Sequence, residues 1–342
     1  MAYKISDKAI IVESGGETIL VAESFQYENS ITILDSDFSL SPDYITDYFY
    51  TFQGSTSGYT SGGSFPPNFT NVIDKFPFSS DGNATDVGDL TVARGESAGQ
   101  SSTTHGYTSG GTPSAAANII DKFPFSSDGN ASDVGDLTQA RGHIAGQSSS
   151  ASGYTSGGEP DRNVIDKFPF SSDGNATDVG DLTQGRGYVS GQSSTASGYT
   201  SGGYEPVSGN NNVIDKFPFS SDANATDVGN LTVARWGLSG QSSSTHGYAS
   251  GGGSGPGSPV YDVIDKFPFS SDANATDVGN ITVARWGVGG QSSTQSGYIS
   301  GGDTLSTGFF NIIEKFPFSA DANATDVGDL TLARRYVPGQ QV

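Results

Sequence analysis

Side chains able to do chemistry are few in kind and regular in spacing. Asp81, Asn83, Asp86 and Asp89 form an Asp-x-Asn-x-x-Asp-x-x-Asp pattern that returns five more times along the chain. Clustered oxygens at such spacing could hold a hard cation such as calcium. The pattern lacks the Glu and the full spacing of an EF-hand, and its last Asp is Asn at 230 and 280. Asp and Asn side chains also bond their own backbone to hold a tight turn. The turn role is the expectation, with calcium as the alternative, so no metal or cofactor is assigned. Arg94, Arg141, Arg186, Arg235, Arg285 and Arg334 recur once per unit, which suggests ion pairs with a neighbouring Asp rather than a ring for an anionic ligand. Histidine occurs only at 105, 143 and 246, and positions 105 and 246 are Ser in sister copies. Glycosidase chemistry needs two carboxylates at a set separation, and no pair stands out among so many Asp. No catalytic residue is assigned, and the chain is read as a non-enzyme.

Composition narrows the classes further. The 342 residues hold 48 Gly, 15 Tyr, 20 Phe and no Cys, with 16 Lys and Arg against 37 Asp and Glu, a net charge of −21. A field of that sign repels phosphate backbones, so no nucleic-acid partner is expected. Without Cys there is no disulfide framework, thiolate metal site or Cys nucleophile. The apolar run Ile10 to Val12 is too short for a secretory core, and no apolar stretch has the roughly 18 residues of a spanning helix. A soluble, acidic chain is the expectation.

The elements that position these residues come from a repeat. Val72-Ile73-Asp74-Lys75-Phe76-Pro77-Phe78 recurs around Lys122, Lys167, Lys216, Lys266 and Lys315, at steps of 47, 45, 49, 50 and 49 residues. Each copy runs on through the Asp-rich turn to an Arg, a Gly-Gln-Ser-Ser type run and a Gly-Tyr-x-Ser-Gly-Gly. The unit has no 3.6-residue apolar period; it offers about four short pieces separated by Gly, Ser, Asn and Asp, which is strand-and-turn chemistry. Phe76 and Phe78 share one strand face, and Pro77 demands a place where no backbone donor is needed. Four antiparallel strands per repeat and six repeats predict an all-β fold: a six-bladed β-propeller.

The order of Gly-Gly, aromatic strand and Arg resembles the kelch repeat over roughly residues 57 to 342, without the usual outer Trp and with Phe-Pro-Phe where kelch often has Tyr-Asp-Pro. The turn Ser79 to Thr85 is similar to the Asp-box of sialidase-type propellers, with Asn83 where that motif has Gly and Asp86 where it has Trp. Both resemblances imply the propeller architecture and carry little about function. The ring would close by pairing the C-terminal strand near 335–341 with the blade begun near residue 57. Residues 48–54 compete for the same slot.

Residues 1–50 lie outside the repeat and carry nine acids against Lys4 and Lys8. Ile10 to Val12 and Thr18 to Val21 around Gly15-Gly16 read as a hairpin, and Ser30 to Leu34 as a third strand: a small β anchor preceding a propeller at 51–342. The opening Met-Ala-Tyr-Lys-Ile-Ser-Asp resembles the start of structural and tail-fibre proteins of marine cyanobacterial phages.

In an antiparallel four-strand blade, the 2–3 and 4–1 connections leave one face and the 1–2 and 3–4 connections the other. The 3–4 turns are near-identical, whereas the 2–3 loops differ in length and chemistry, as do Glu96, His143, Tyr188, Trp236, Trp286 and Tyr336 after the repeating Arg. A copied scaffold presenting six unlike loops on one face reads as a recognition surface. Arg162, Tyr188, Tyr204, Trp236, Tyr261, Trp286, Phe309 and Tyr336 are the candidate ligand-binding residues, read as exposed groups suited to sugar stacking or protein anchoring. The expected function is a phage virion structural or adhesion protein, located on the particle. It would bind a host-surface glycan or protein, meet other virion proteins through residues 1–50, and be present in several copies. A virion glycan hydrolase and a purely architectural subunit are the alternatives.

Overall fold

A computed structural model describes residues 2–6, 9–14, 17–20, 52–113, 117–160, 162–255, 259–304 and 308–342. The chain divides into two units, 1–45 and 46–342. In the first, Ala2–Ser6, Ala9–Ser14 and Glu17–Leu20 form an antiparallel meander in that order, with Tyr3 opposite Val12 and Val12 opposite Ile19. The hairpin around Gly15-Gly16 is present, and its third strand comes from Ala2–Ser6. The strand expected at Ser30 to Leu34 lies outside the described residues.

The second unit is a six-bladed propeller of four-stranded antiparallel blades. The second blade shows the plan. Ala98–Ser101 is the inner strand, followed outwards by His105–Ser109, Ile119–Pro124 and Ser132–Asp136. Gly339–Gln341 supplies the inner strand of the first blade, antiparallel to Ser57–Ser61, with Gln340 opposite Tyr59. Residues 52–54 lie elsewhere, across the face that carries the 1–2 turns. There Gln341 donates its Nε2–H to the Phe52 carbonyl at 2.6 Å, and Gly54 bridges Ser293.

Neighbouring blades are held by four kinds of contact, each repeated around the ring. Tyr107 of the second strand packs on Phe168 and stacks on Phe170 of the next blade at 4.9 Å, and Tyr298 closes the circuit on Phe76 and Phe78. Ile73 and Asp74, consecutive on the third strand, face opposite sides of the blade, and both are fully buried because a neighbouring blade covers each side. The buried Asp is then met by the connection arriving from the blade before. Asp121 accepts from Thr91 N–H, Thr91 Oγ1 and Arg94 Nη1, the last at 2.9 Å, with Arg94 and Asp121 side chains at 0% exposure. The sixth pair, Arg334 with Asp74, joins the chain's end to the first blade. Glu314 replaces Asp in the sixth blade and is reached by Arg285 Nη2.

The inner layers are polar and equally periodic. Gln100 Nε2 donates to Ser109 Oγ of its own blade and to the Tyr154 carbonyl of the next, and Gln340 does the same to Ser61 and Tyr107. On the outside, Lys75 pairs with Asp128 of the next blade's turn and Asn130 accepts the Asp89 N–H. Of the Asp-rich turn pattern, Asp81 and Asn83 and their copies latch neighbouring blades, while Asp86 accepts the Gly88 N–H of its own turn, the turn role expected of it. Among the described residues no group of three or more acids or histidines is placed to hold a metal ion.

The buried and exposed ion pairs should differ in worth. Asp215→Ala strands the buried Arg186 and should cost about 3–5 kcal/mol, whereas Asp222→Ala, which frees the half-exposed Lys167, should cost under about 1 kcal/mol. Urea unfolding of the two variants measures this; equal losses would contradict the assignment of the buried pair as the stronger latch.

Candidate functional site

All 2–3 loops and 4–1 connections leave one face, and their inner ends converge on the propeller axis. Two residues after each repeating Arg, the backbone is left-handed in every blade: φ is 62° at Glu96, 55° at His143, 57° at Tyr188, 66° at Gly237, 66° at Gly287 and 54° at Tyr336. This conformation aims each N–H at the carbonyl of the same position in the preceding blade. His143 N–H donates to Glu96 at 2.7 Å, Tyr188 to His143 at 2.8 Å, Gly237 to Tyr188 at 3.0 Å and Gly287 to Gly237 at 2.7 Å. Tyr336 donates to Gly287, and Glu96 to Tyr336 at 3.3 Å, which completes a circle of six hydrogen bonds around the mouth.

This geometry corrects the sequence alignment of the mouth. Trp236 and Trp286 stand one residue after their Arg, where other blades have Gly95, Gly142, Gly187 and Arg335. Where the first position is Gly, the second carries the side chain; where the first is Trp, the second is Gly. The last blade fills both, with Arg335 and Tyr336. The expectation that both tryptophans are exposed is also overturned: they are 7% and 9% exposed, because each is packed between neighbouring rings.

Those rings form a closed circuit. Trp236 meets Trp286 at 4.8 Å, Trp286 meets Tyr336 at 5.3 Å, Tyr336 meets His143 at 5.0 Å, His143 stacks on Tyr188 at 3.6 Å and Tyr188 meets Trp236 at 4.6 Å. Tyr188 and Tyr336 come from opposite blades yet lie only 6.2 Å apart, so the rings span the axis. Beneath them is a cavity of about 70 Å³ lined by this layer and by Ser97, Ile144, Val189, Leu238, Val288 and Val337.

Charged groups rim the aromatic circuit. Glu96 Oε2 accepts from Thr112 Oγ1 at 2.7 Å and lies 3.1 Å from His143 Nε2. Arg335 pairs with Asp303 at 2.7 Å and lays its guanidinium over Trp286, Tyr336 and Phe309 at 4.5, 5.1 and 5.6 Å. Burial pushes the Glu96 carboxyl up, opposed by the Thr112 hydrogen bond and Arg335. Burial and then Arg335 pull the His143 imidazole down to about 3. Burial raises the Tyr188 and Tyr336 hydroxyls. A neutral imidazole with its proton on Nε2 faces the Glu96 carboxylate at 3.1 Å and leaves Nδ1 as an acceptor.

Of the eight candidate residues, Tyr188, Trp236, Trp286 and Tyr336 join the central circuit, and Phe309 reaches it through Arg335. Tyr204 starts the hairpin Tyr204–Glu205 with Gly209–Asn210 and pairs with Gly187, which places it beside the mouth. Arg162 is exposed on its loop, its N–H bonded to the Gly158 carbonyl, and Tyr261 N–H is bonded to the Gly252 carbonyl; both sit further out. Arg335 and Asp303 were missed. The doubled Arg334-Arg335, unique among the repeats, was the available signal. No family model matches the chain, and no curated protein is found to match it.

Because its folded value lies below the ordinary 6.5, His143 contributes stability that is whole above about pH 6.5 and is lost as pH falls towards 3. Glu96 has the opposite sign: its contribution is present below its ordinary 4.5 and fades as pH rises through the raised value. With Glu96→Gln in both proteins, the urea midpoint should fall more steeply between pH 6.5 and 4 with His143 present than with His143→Phe. Parallel profiles would refute the buried neutral imidazole.

Proposed function

We propose that the chain is a non-enzymatic adhesion or structural protein of a phage particle, and that its variable propeller face binds a glycan or protein on the host surface. One observation carries the binding reading: Glu96, His143, Tyr188 and Tyr336 hold a left-handed backbone in a ring where glycine serves equally well at 237 and 287. That conformation costs a non-glycine residue about 1–2 kcal/mol. A carboxylate, an imidazole and two phenols stand at the mouth against that cost, while the latches between blades are copied almost unchanged. Aromatic groups rimmed by a few polar ones suit recognition of a sugar or a protein anchor.

The virion assignment rests on the resemblance of the first seven residues to cyanophage structural and tail-fibre proteins. Several copies on one particle would turn weak single contacts into avidity, with residues 1–50 meeting other virion proteins. The absence of turnover is part of the same reading, since Glu96 and Asp303 are each held by a hydrogen-bonded partner.

Glycine already occupies the equivalent position in two blades, so Tyr188→Gly/Tyr336→Gly should fold. It should lose at least about tenfold in binding to host cells or isolated envelope, given that clustered aromatics dominate such sites. Asp222→Ala on the opposite face should bind normally. Binding unchanged by the double substitution would refute the mouth as the site, and release of reducing sugar ends abolished by Glu96→Gln would favour a hydrolase. Self-assembly surviving deletion of residues 1–50 would favour an architectural subunit.

A further inference from the structure

Four buried polar atoms in the mouth layer have no hydrogen-bond partner: Ser97 Oγ, His143 Nδ1, Trp236 Nε1 and Arg335 Nε, the last on a guanidinium paired through Nη1 with Asp303. Ser97 and Trp236 are 8% and 7% exposed, and the His143 side chain 8%. An unmade hydrogen bond at a buried group costs about 1–3 kcal/mol, so a ligand group that supplies the partner at the mouth gains that much. Ser97 and His143 both line the axial cavity, and Trp236 edges the circuit above it through Tyr188.

The four atoms make different demands. The indole N–H and the guanidinium Nε–H can only donate, the neutral imidazole Nδ1 can only accept, and the hydroxyl can do both. An anionic oxygen satisfies the two donors and leaves Nδ1 bare. An ammonium satisfies Nδ1 and leaves the donors bare. Hydroxyl groups answer all four, since each donates and accepts.

Charge and size point the same way. Apart from the six latch arginines, the described side chains of this face carry Glu96, Glu159, Glu205, Asp262 and Asp303 against Arg162 and Arg335. Arg335 is already neutralised by Asp303. No basic cluster is available to an acidic ligand. The cavity of about 70 Å³ has room for a hydroxyl or hydroxymethyl substituent.

We propose, resting on the binding role above, that the mouth recognises an uncharged polyhydroxylated ligand: a neutral hexose at a glycan terminus, stacked on the aromatic circuit with one substituent directed to Ser97 and His143. The recognition is selective against sialylated, sulfated and phosphorylated glycans.

The full-length protein can be tested by equilibrium binding to immobilised oligosaccharides, hexose-terminated and uncharged in one set and sialylated, sulfated or phosphorylated in the other. Binding to the neutral set alone is expected. Trp236→Phe keeps the ring and removes the N–H, and should weaken that binding about five- to tenfold at unchanged melting temperature. Ser97→Ala should act in the same direction. Preference for the charged set, or full affinity in Trp236→Phe, would overturn the inference. A charged glycan or a protein whose binding is lost in Tyr188→Gly/Tyr336→Gly would overturn it while leaving the binding role intact. No ligand bound through this face would end both.

Discussion

The structure depends on how closely six inner strands approach one another at the axis. A Cβ on Gly191 would lie 2.1 Å from the Gly146 carbonyl oxygen, and on Gly339 1.9 Å from that of Gly290; the same contact recurs at Gly99, Gly146, Gly240 and Gly290. Real Cβ atoms never come so near a backbone oxygen, so only glycine fits this layer. With no side chain at the narrowest level, adjacent strands lie close enough for each Gln, one residue on, to reach into the next blade. The buried amides, the Arg–Asp latches and the Tyr–Phe stacks then fall at fixed heights around the ring. Hydrophobic burial supplies much of the driving force, but the polar latches set which blade meets which, because each leaves a buried group unsatisfied if its partner is displaced.

A filled axis leaves chemistry to its ends. At one end Phe52 and Gln53 lie across the mouth, with Gln341 replacing the Ser of the other inner strands to hold the Phe52 carbonyl. At the other end the chain must turn back from the fourth strand of one blade into the first of the next, and the left-handed residue makes that turn while bonding its neighbour. The circle of six N–H to C=O contacts fixes the backbone regardless of side chain. Side chains there are free to differ, and they do: a carboxylate, an imidazole, two phenols and, from the adjoining position, two indoles and a guanidinium. Division of labour follows from position, with identity preserved where side chains latch the blades and variety concentrated where backbone hydrogen bonds do so.

Much of the architecture was legible in the sequence because it is repetitive. Six returns of Asp-Lys-Phe-Pro-Phe and of Gly-Tyr-x-Ser-Gly-Gly, with turn residues between them, define four strands per unit and a radial array. The two faces also followed, from strand direction alone. Contacts between blades were harder to read. Arg94 and Asp121, or Lys75 and Asp128, are separated by 27 and 53 residues, and only the packed ring assigns their partners. The burial of Asp74 under the connection from the preceding blade has no local mark in Val72 to Phe78. At the mouth, the exchange of Gly-Tyr for Trp-Gly disguised which residues share a position, because what is shared is a backbone conformation. The tryptophans looked exposed because the rings that bury each of them come from two other blades.

The central claim is that crowding at the axial glycine layer holds the ring together. Chemical unfolding of Gly191→Ala beside Gly174→Ala tests it directly, since a Cβ at 174 meets nothing within 4 Å. The account predicts that Gly191→Ala loses about 3 kcal/mol or more through overpacking and backbone displacement, while Gly174→Ala stays within about 0.5 kcal/mol of the parent, as surface substitutions do. A Gly191→Ala protein as stable as its parent would contradict it.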